Sequence, residues 1–440
     1  MKYLIRIAFR NVRVNLKPSL AALLSISAAY MTILIFDGYM ESVSRLYLNS
    51  YRYRQMYGDF IIQNPLLRAK EGKANPYNYS LTPKQQELVD SFMKSKSHDV
   101  VASVKNLEFV GTVSNGRVST IFISRAFQQE EGLKLRRQLW SWNALYGTPL
   151  HMGEPGNKIL LGQALGRTLG CRPKEKQHIL TPAGGFKKGY REFSCDIDDV
   201  LLSVTTATGQ INSMGFKVSG ITDAGYRDID ARFVMADFKD AQTLMHTDRV
   251  GYYTVLLEND VSRSQFLQEF ETAVTQKDHA IKIQRWQDHP VGDLYNKTMN
   301  LLGVFRNFVI IVLVAISGLS IATTFSKNVK ERTREIGLLL SLGFYRRKVL
   351  GIFIYESIIL SIIGIAFGFF GGSLFSLILN TSHIYYKAGL LSEPVVFYII
   401  PNWSSLAVGA LGLVILAIVA CYFSTRSTLK KSVVECLQHS

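Results

Sequence analysis

Four uncharged apolar runs constrain this chain more than any other feature. They are 19–36, 308–326, 357–379 and 404–423. Each is close to the roughly 20 residues that cross a hydrocarbon layer. Backbone polar groups in lipid must bond within their own segment, so each run is expected to be a transmembrane helix. The predicted fold class is therefore an α-helical membrane protein with four transmembrane helices. Residues 37–307, between the first and second helices, are too many for a loop and enough for a folded domain.

Charge orients these spans. The chain has 440 residues and a net charge of +16. Residues 1–18, the loop 327–349 and the tail from 424 to 440 together hold fifteen basic residues against three acidic, so +12 of the +16. Short loops rich in Lys and Arg stay in the cytoplasm. Both termini are thus expected inside, the domain 37–307 outside and a short loop 380–402 outside. The charge then reports membrane orientation, and nucleic acid is not among the expected partners. A cleaved signal peptide is disfavoured, because no small-x-small site precedes Asp37. Lys2, Arg6, Arg10, Arg13 and Lys17 recur at helical spacing, which predicts an amphipathic helix over 1–18 lying at lipid headgroups.

The outer region mixes strand and helix patterns, so an α+β extracytoplasmic domain is expected. Strands are predicted at 59–63, 119–124, 201–205, 216–221, 232–235 and 252–257, rich in Val, Ile, Phe and Thr. Helices are predicted at 83–96, 163–169, 238–246 and 262–275. Gly170 is a stop for the second and Ser262 with Gln265 a capping box for the last. Cys171 and Cys195 bound a Lys-, Gly- and Pro-rich stretch. A disulfide is favoured there over a metal site, which two Cys and one His support only weakly; two free thiols are the third alternative. Cys421 and Cys436 point to no catalysis.

Motifs for covalent chemistry do not emerge. Gly292 to Thr298 lacks the second glycine of a phosphate loop, and neither His-Glu-x-x-His nor Gly-x-Ser-x-Gly occurs. The apolar runs contain no acid, which argues against a proton-coupled carrier; Glu356 sits at the inner end of the third. No metal and no cofactor are expected in this chain, and it is read as a non-enzymatic subunit. Gly364, Gly368 and Gly372 share one helix face, with Gly371 beside them, suited equally to packing within the chain or between subunits. Ala21, Ser25, Ala28, Ala29 and Thr32 form a similar stripe on the first run.

The loop from Lys330 to Lys348 has charged ends around Ile336, Leu339, Leu340 and Leu342. It predicts a short amphipathic helix that needs an apolar partner or lies flat on the membrane. Here the sequence resembles a family. Arg334-Glu335-Ile336-Gly337, Leu342-Gly343, Arg346-Arg347 and then Glu356 resemble the signature of FtsX-like, MacB-type (type VII) ABC transporter permeases. That family includes macrolide-exporter and lipoprotein-releasing permeases. The segment 161–170 resembles an outer stretch of the same family, as do 216–221 and 237–242. The stretch between the outer cysteines departs from the pattern as an insertion, read as a protrusion for a partner.

The resemblance implies a bacterial inner-membrane permease subunit with a periplasmic domain. Its partners would be an ABC ATPase that binds ATP and magnesium, a second permease copy or relative, and membrane lipid. A periplasmic carrier or lipoprotein is a further expected partner. It implies ATPase coupling through Arg334, Glu335, Ile336, Gly337, Leu340, Gly343 and Glu356, with Glu356 expected to pair either with the inner basic cluster or with the ATPase. Lipoprotein release or export of a periplasmic substrate is the expected work. The alternative is an FtsX-like signalling subunit that regulates an envelope hydrolase.

Overall fold

The computed structural model describes every residue except 1–5, 7, 9, 11–15, 137–144, 153–155, 175–191, 223, 225–226, 387–394, 431–434 and 437–440. Most of the expected N-terminal amphipathic helix and the middle of the insertion between the cysteines therefore lie outside the described residues. The chain divides into two compact units. One comprises Met1–Ser44, Met299–Ile384 and Phe397–Ser440, the other Arg45–Thr298 and Tyr385–Val396.

Four helices among the described residues are long and apolar enough to cross a membrane, and their apolar stretches belong to the first unit. They run Leu16–Asn49, Asp293–Glu331, Arg346–Thr381 and Trp403–Leu429. Every one extends past its apolar run. The first two have 34 and 39 residues, about 50 and 60 Å at 1.5 Å per residue, well beyond a hydrocarbon layer of about 30 Å. The loop between the second and third spans is consequently shorter than 327–349. Its first residues finish one helix, and Arg346 begins the next. Asp37, expected to follow the first span, lies inside a continuous helix.

The glycine face of the third span packs within the chain. A Cβ at Gly364 would stand 3.0 Å from Ile26, and one at Gly368 would stand 2.6 Å from the carbonyl of Ser27. At Gly372 the neighbour is Leu34 at 3.3 Å. All three seat against the first span, so this face is occupied within the subunit. The partner surface on the first span is Ile26, Tyr30 and Leu34, all buried. The small-residue stripe is not that surface, since Ala21, Ala28 and Thr32 are exposed.

The second unit is built on a sheet of β1 (Phe60–Gln63), β2 (Val100–Ser114), β3 (Ser119–Phe127), β4 (Tyr146–Gly147) and β5 (Lys158–Gly162). It continues, beyond the hairpin β6 (Cys171–Pro173) and β7 (Phe193–Cys195), with β8 (Asp199–Thr205), β9 (Ile211–Thr222), β10 (Phe233–Asp237), β11 (Tyr252–Leu257) and β12 (Lys282–Arg285). The pairing closes on itself. β2 is antiparallel to β3, β3 parallel to β10, β10 antiparallel to β5 and β5 parallel to β9; β9 is antiparallel to β8, which pairs antiparallel with β2. Closure leaves these strands without free edges. Val113, Phe122, Leu161, Leu202, Phe216 and Val234 from this ring enter one core. β11, β1 and β12 continue the sheet beyond the first half of β2.

Helices cover this core. Helix Pro83–Ser95 has a full capping box: Thr82 Oγ1 accepts from the Gln85 N–H while Gln85 Oε1 accepts from the Thr82 N–H. Phe92 on that helix meets Phe266 and Phe270 edge-on. At Ser262 only half of the expected box forms, because the Gln265 amide donates to Glu269. The predicted helix 262–275 is α-helical over Arg263–Phe270 and π-helical over Glu271–Thr275. Gly170 ends helix Gln163–Thr168 with φ of +81°, where a side chain would be strained.

Candidate functional site

The loop between the second and third spans holds the most concentrated set of expected functional residues. The second span ends at Glu331, Arg332 leaves helical geometry, and a nine-residue helix, Thr333–Ser341, follows. Its C-terminus closes with two backbone bonds, Gly343 N–H to the Leu340 carbonyl and Phe344 N–H to the Leu339 carbonyl, both 3.1 Å. This arrangement needs a left-handed residue after the cap, and Gly343 has φ of +83°. Gly343 therefore shapes the turn into the third span.

Arg332 locks the short helix to the third span. Its Nη1 donates to both carboxylate oxygens of Glu356, at 2.7 and 2.9 Å, and its Nε donates to Glu335 at 2.7 Å. The guanidinium also lies 4.9 Å from the Phe353 ring centre. Glu356 is 3% exposed and Arg332 only slightly more. Burial alone would lower the Arg332 pKa, but the Glu356 charge and hydrogen bonds outweigh it and raise the value. A buried pair of this kind is sensitive, since removing one partner strands the other charge away from water.

The expected coupling residues divide into two groups. Arg334, Glu335 and Gly343 are exposed, while Ile336 and Gly337 are buried. Leu340 is half-buried against the membrane bundle. Ile336 and Gly337 are buried and seat the helix, whereas the sequence reading expected them to contact a partner; Glu356, expected to pair with the inner basic cluster or the ATPase, pairs with Arg332 of that cluster. The exposed apolar surface is instead Leu338, Leu342 and Tyr345, with Leu342 73% exposed. Sequence reasoning missed Leu338 and Tyr345 because either register of so short an amphipathic helix satisfies its pattern. Arg332 was counted only as one of many bases. The signal for it was Glu356, an acid in an apolar helix that requires a cation.

A second polar element was also missed. Asp37, 1% exposed, accepts through Oδ1 from Arg306 Nε at 2.8 Å and from Arg306 Nη2. Arg306 Nη2 also donates to Ser405 Oγ at 3.0 Å. This joins the first, second and fourth spans at the ends remote from the loop helix. Nearby, Asn402 donates to Glu41, and Asn380 exchanges two hydrogen bonds with the backbone of Ile399. Gly38 allows the Ile399–Ile400 segment to approach, since a Cβ there would stand 2.6 Å from Ile399.

Cys171 and Cys195 are disulfide-bonded and stand opposite each other in the β6–β7 pair. Cys421 and Cys436 are buried free thiols. Among the described residues no group of three or more His, Cys, Asp or Glu side chains is placed to hold a metal.

Residues 307–433 match the family model of the FtsX-like permease C-terminal domain. The match runs from within the second helix through the fourth and takes in the whole coupling-loop signature, and over this segment the expected resemblance is met. No curated protein matches the chain. Solved structures align with it as well, two of which follow. One is the extracellular domain of the noncanonic ABC-type transporter YknZ from Gram-positive bacteria, at 11% identity and a TM-score of 0.32, over 52% of this chain and 99% of that one. The other is the periplasmic region of MacB from Actinobacillus actinomycetemcomitans, at 11% identity and a TM-score of 0.33, over 55% and 92%.

Proposed function

We propose that this chain is the membrane subunit of an ABC transporter and works with a separate ATPase. Helix Thr333–Ser341 is the seat of that ATPase. The observation that carries this reading is an exposed apolar set, Leu338 on a helix too short to span, Leu342 at its end and Tyr345 past the Gly343 turn, anchored from behind by Arg332 and Glu356. An exposed apolar surface on a short helix and the turn that follows it calls for a groove on a partner. Arg334 and Glu335 flank it and would set its register there. The ion pair to Glu356 makes the helix and the third span one mechanical element, so displacement of the helix tilts the span.

In this reading the loop helix and both termini are cytoplasmic, and the second unit is periplasmic in a bacterial inner membrane. A second permease completes the assembly. ATP bound by the partner drives work on the outer side, namely release of a lipid-anchored protein or export of a periplasmic substrate. The test is co-purification of the ATPase in mild detergent with Leu342→Asp. That side chain makes little contact within the chain, so the fold should persist while ATPase recovery falls about tenfold or more, as for an interface anchor. Undiminished recovery would remove the assignment.

A further inference from the structure

We propose that Arg136 binds a dianionic phosphate group in the second unit. Arg136 is the last residue of helix Gln129–Arg136, which packs on β2 and against the π-helix Ser50–Arg54. It is 8% exposed. A guanidinium this deep is ordinarily paired, because burying an ion is costly unless an opposite charge and hydrogen bonds accompany it. Arg136 has neither: among the described residues it makes no hydrogen bond and no ion pair, and its Nε is sealed from solvent without a partner. The guanidinium carbon lies 5.9 Å from the centre of the Phe127 ring. A ring face attracts a cation but leaves its N–H groups unmet.

The charges that act on Arg136 have the wrong sign to hold it. Burial, then the like charges of Arg54 and Arg125, lowers its pKa to about 9, which still leaves it a cation at neutral pH. The same field reaches His151, whose pKa is lowered by burial and then by Arg136. The acids of this region serve other bases. Glu108 pairs with Arg68 and Arg125, and Glu131, on the same helix as Arg136, pairs with Lys134. Glu130 is exposed and makes no ion pair with Arg136. Residues 137–144, which follow in sequence, contain no Asp or Glu. An anion from outside the chain supplies what is missing. Nε is sealed, whereas Nη1 and Nη2 keep contact with solvent, so the anion meets the forked end of the guanidinium. A carboxylate brings one charge to that fork. A phosphate or phosphomonoester brings roughly −1.5 to −2 at pH 7, which matches a field built by more than one cation.

The experiment measures binding of radiolabelled inorganic phosphate to the full-length protein in detergent, by equilibrium dialysis in chloride buffer at constant ionic strength. Saturable binding of one phosphate per chain is expected. Arg136→Gln should weaken it about tenfold or more, the scale of one hydrogen bond to a charged group. Arg117→Gln, which removes an exposed cation between β2 and β3, should leave it unchanged. Acetate and a short-chain phosphatidylglycerol, each with a single negative charge, should compete about tenfold less well than glycerol 3-phosphate. In phosphate-free buffer Arg136→Gln should unfold no lower than the unmodified protein, because it removes an uncompensated cation. Phosphate should then raise the unfolding temperature of the unmodified protein alone. Absence of saturable binding by the unmodified protein overturns the proposal, whether or not the variant folds. Undiminished binding by folded Arg136→Gln overturns it too, as does competition by acetate or the lipid equal to that by glycerol 3-phosphate. A variant that unfolds well below the unmodified protein in phosphate-free buffer also overturns it, since Arg136 is then compensated within the chain. The ATPase takes no part in these measurements, so their outcome is independent of the proposed function.

Discussion

Glu356 illustrates how a single residue can be placed in sequence while its partner stays open between an inner base and the ATPase. Its position at the foot of an apolar helix marks it, but its partner is Arg332 in the same chain. Glu356→Ala removes the buried carboxylate and leaves the guanidinium only the exposed Glu335, which should destabilise the membrane unit by about 3 kcal/mol. Thermal unfolding in detergent checks this, and Arg332→Met with Glu356→Leu together should recover much of the loss. His289 gives a pH prediction at the same scale. It is buried, and burial, helped by the Arg68 charge, pushes its pKa down to about 4. The unfolded chain takes up that proton near the ordinary value of about 6.5, whereas the folded chain resists until about 4. The stability that neutral His289 supplies above pH 6.5 is therefore lost as pH falls from about 6.5 to about 4. Asp240 acts in the opposite sense: burial and then the Asp237 charge raise its pKa to about 6. The folded state accepts that proton first, so stability is gained as pH falls through about 6. Comparing the unfolding temperature of the protein with that of His289→Gln across pH 4–7 isolates the histidine. The difference between them should shrink towards acid pH.

Elements long enough to carry their own residue pattern and bounded by clear start or stop residues were the legible ones. The strand Tyr252–Leu257 and the start of helix Pro83–Ser95 were readable because aromatic and β-branched runs and turn residues bound them. β2 was not, because Asn106 and Leu107 are adjacent and both buried, which breaks the two-residue alternation, and Lys105 and Glu108 lend the segment the look of a loop. β5 was hidden because only Ile159, Leu160 and Leu161 mark it, too short an apolar run to tell from the start of the helix that follows. The β6–β7 hairpin is the element where chemistry and pairing coincide. Cys171 and Cys195 close a loop with a sequence separation of 24, so reduction should cost about 3 kcal/mol. Unfolding with and without a thiol reductant measures it, and the double Cys→Ser variant should no longer respond to reductant.

At the scale of the whole molecule, the four spans and the α+β unit follow from apolar run lengths and from the distribution of charge. Ring closure does not, since pairing between β2 and β8, nearly a hundred residues apart in sequence, leaves no local pattern. The loop helix was legible as an element but not in its register. Which face turns outward is set by tertiary partners, Glu356 and Phe353 for Arg332 and the bundle core for Ile336. The Asp37–Arg306 pair was invisible for a related reason, as its two residues are joined by the packing of separate spans. The central claim is that Leu338, Leu342 and Tyr345 form the surface that a separate ATPase occupies. The most direct measurement places a photo-crosslinking side chain at Leu338 and, as a control, at the exposed Phe308 of the second span. Irradiation of the complex should join position 338 to the ATPase and position 308 to lipid alone. Capture of the ATPase from position 308 but not from 338 would contradict the account.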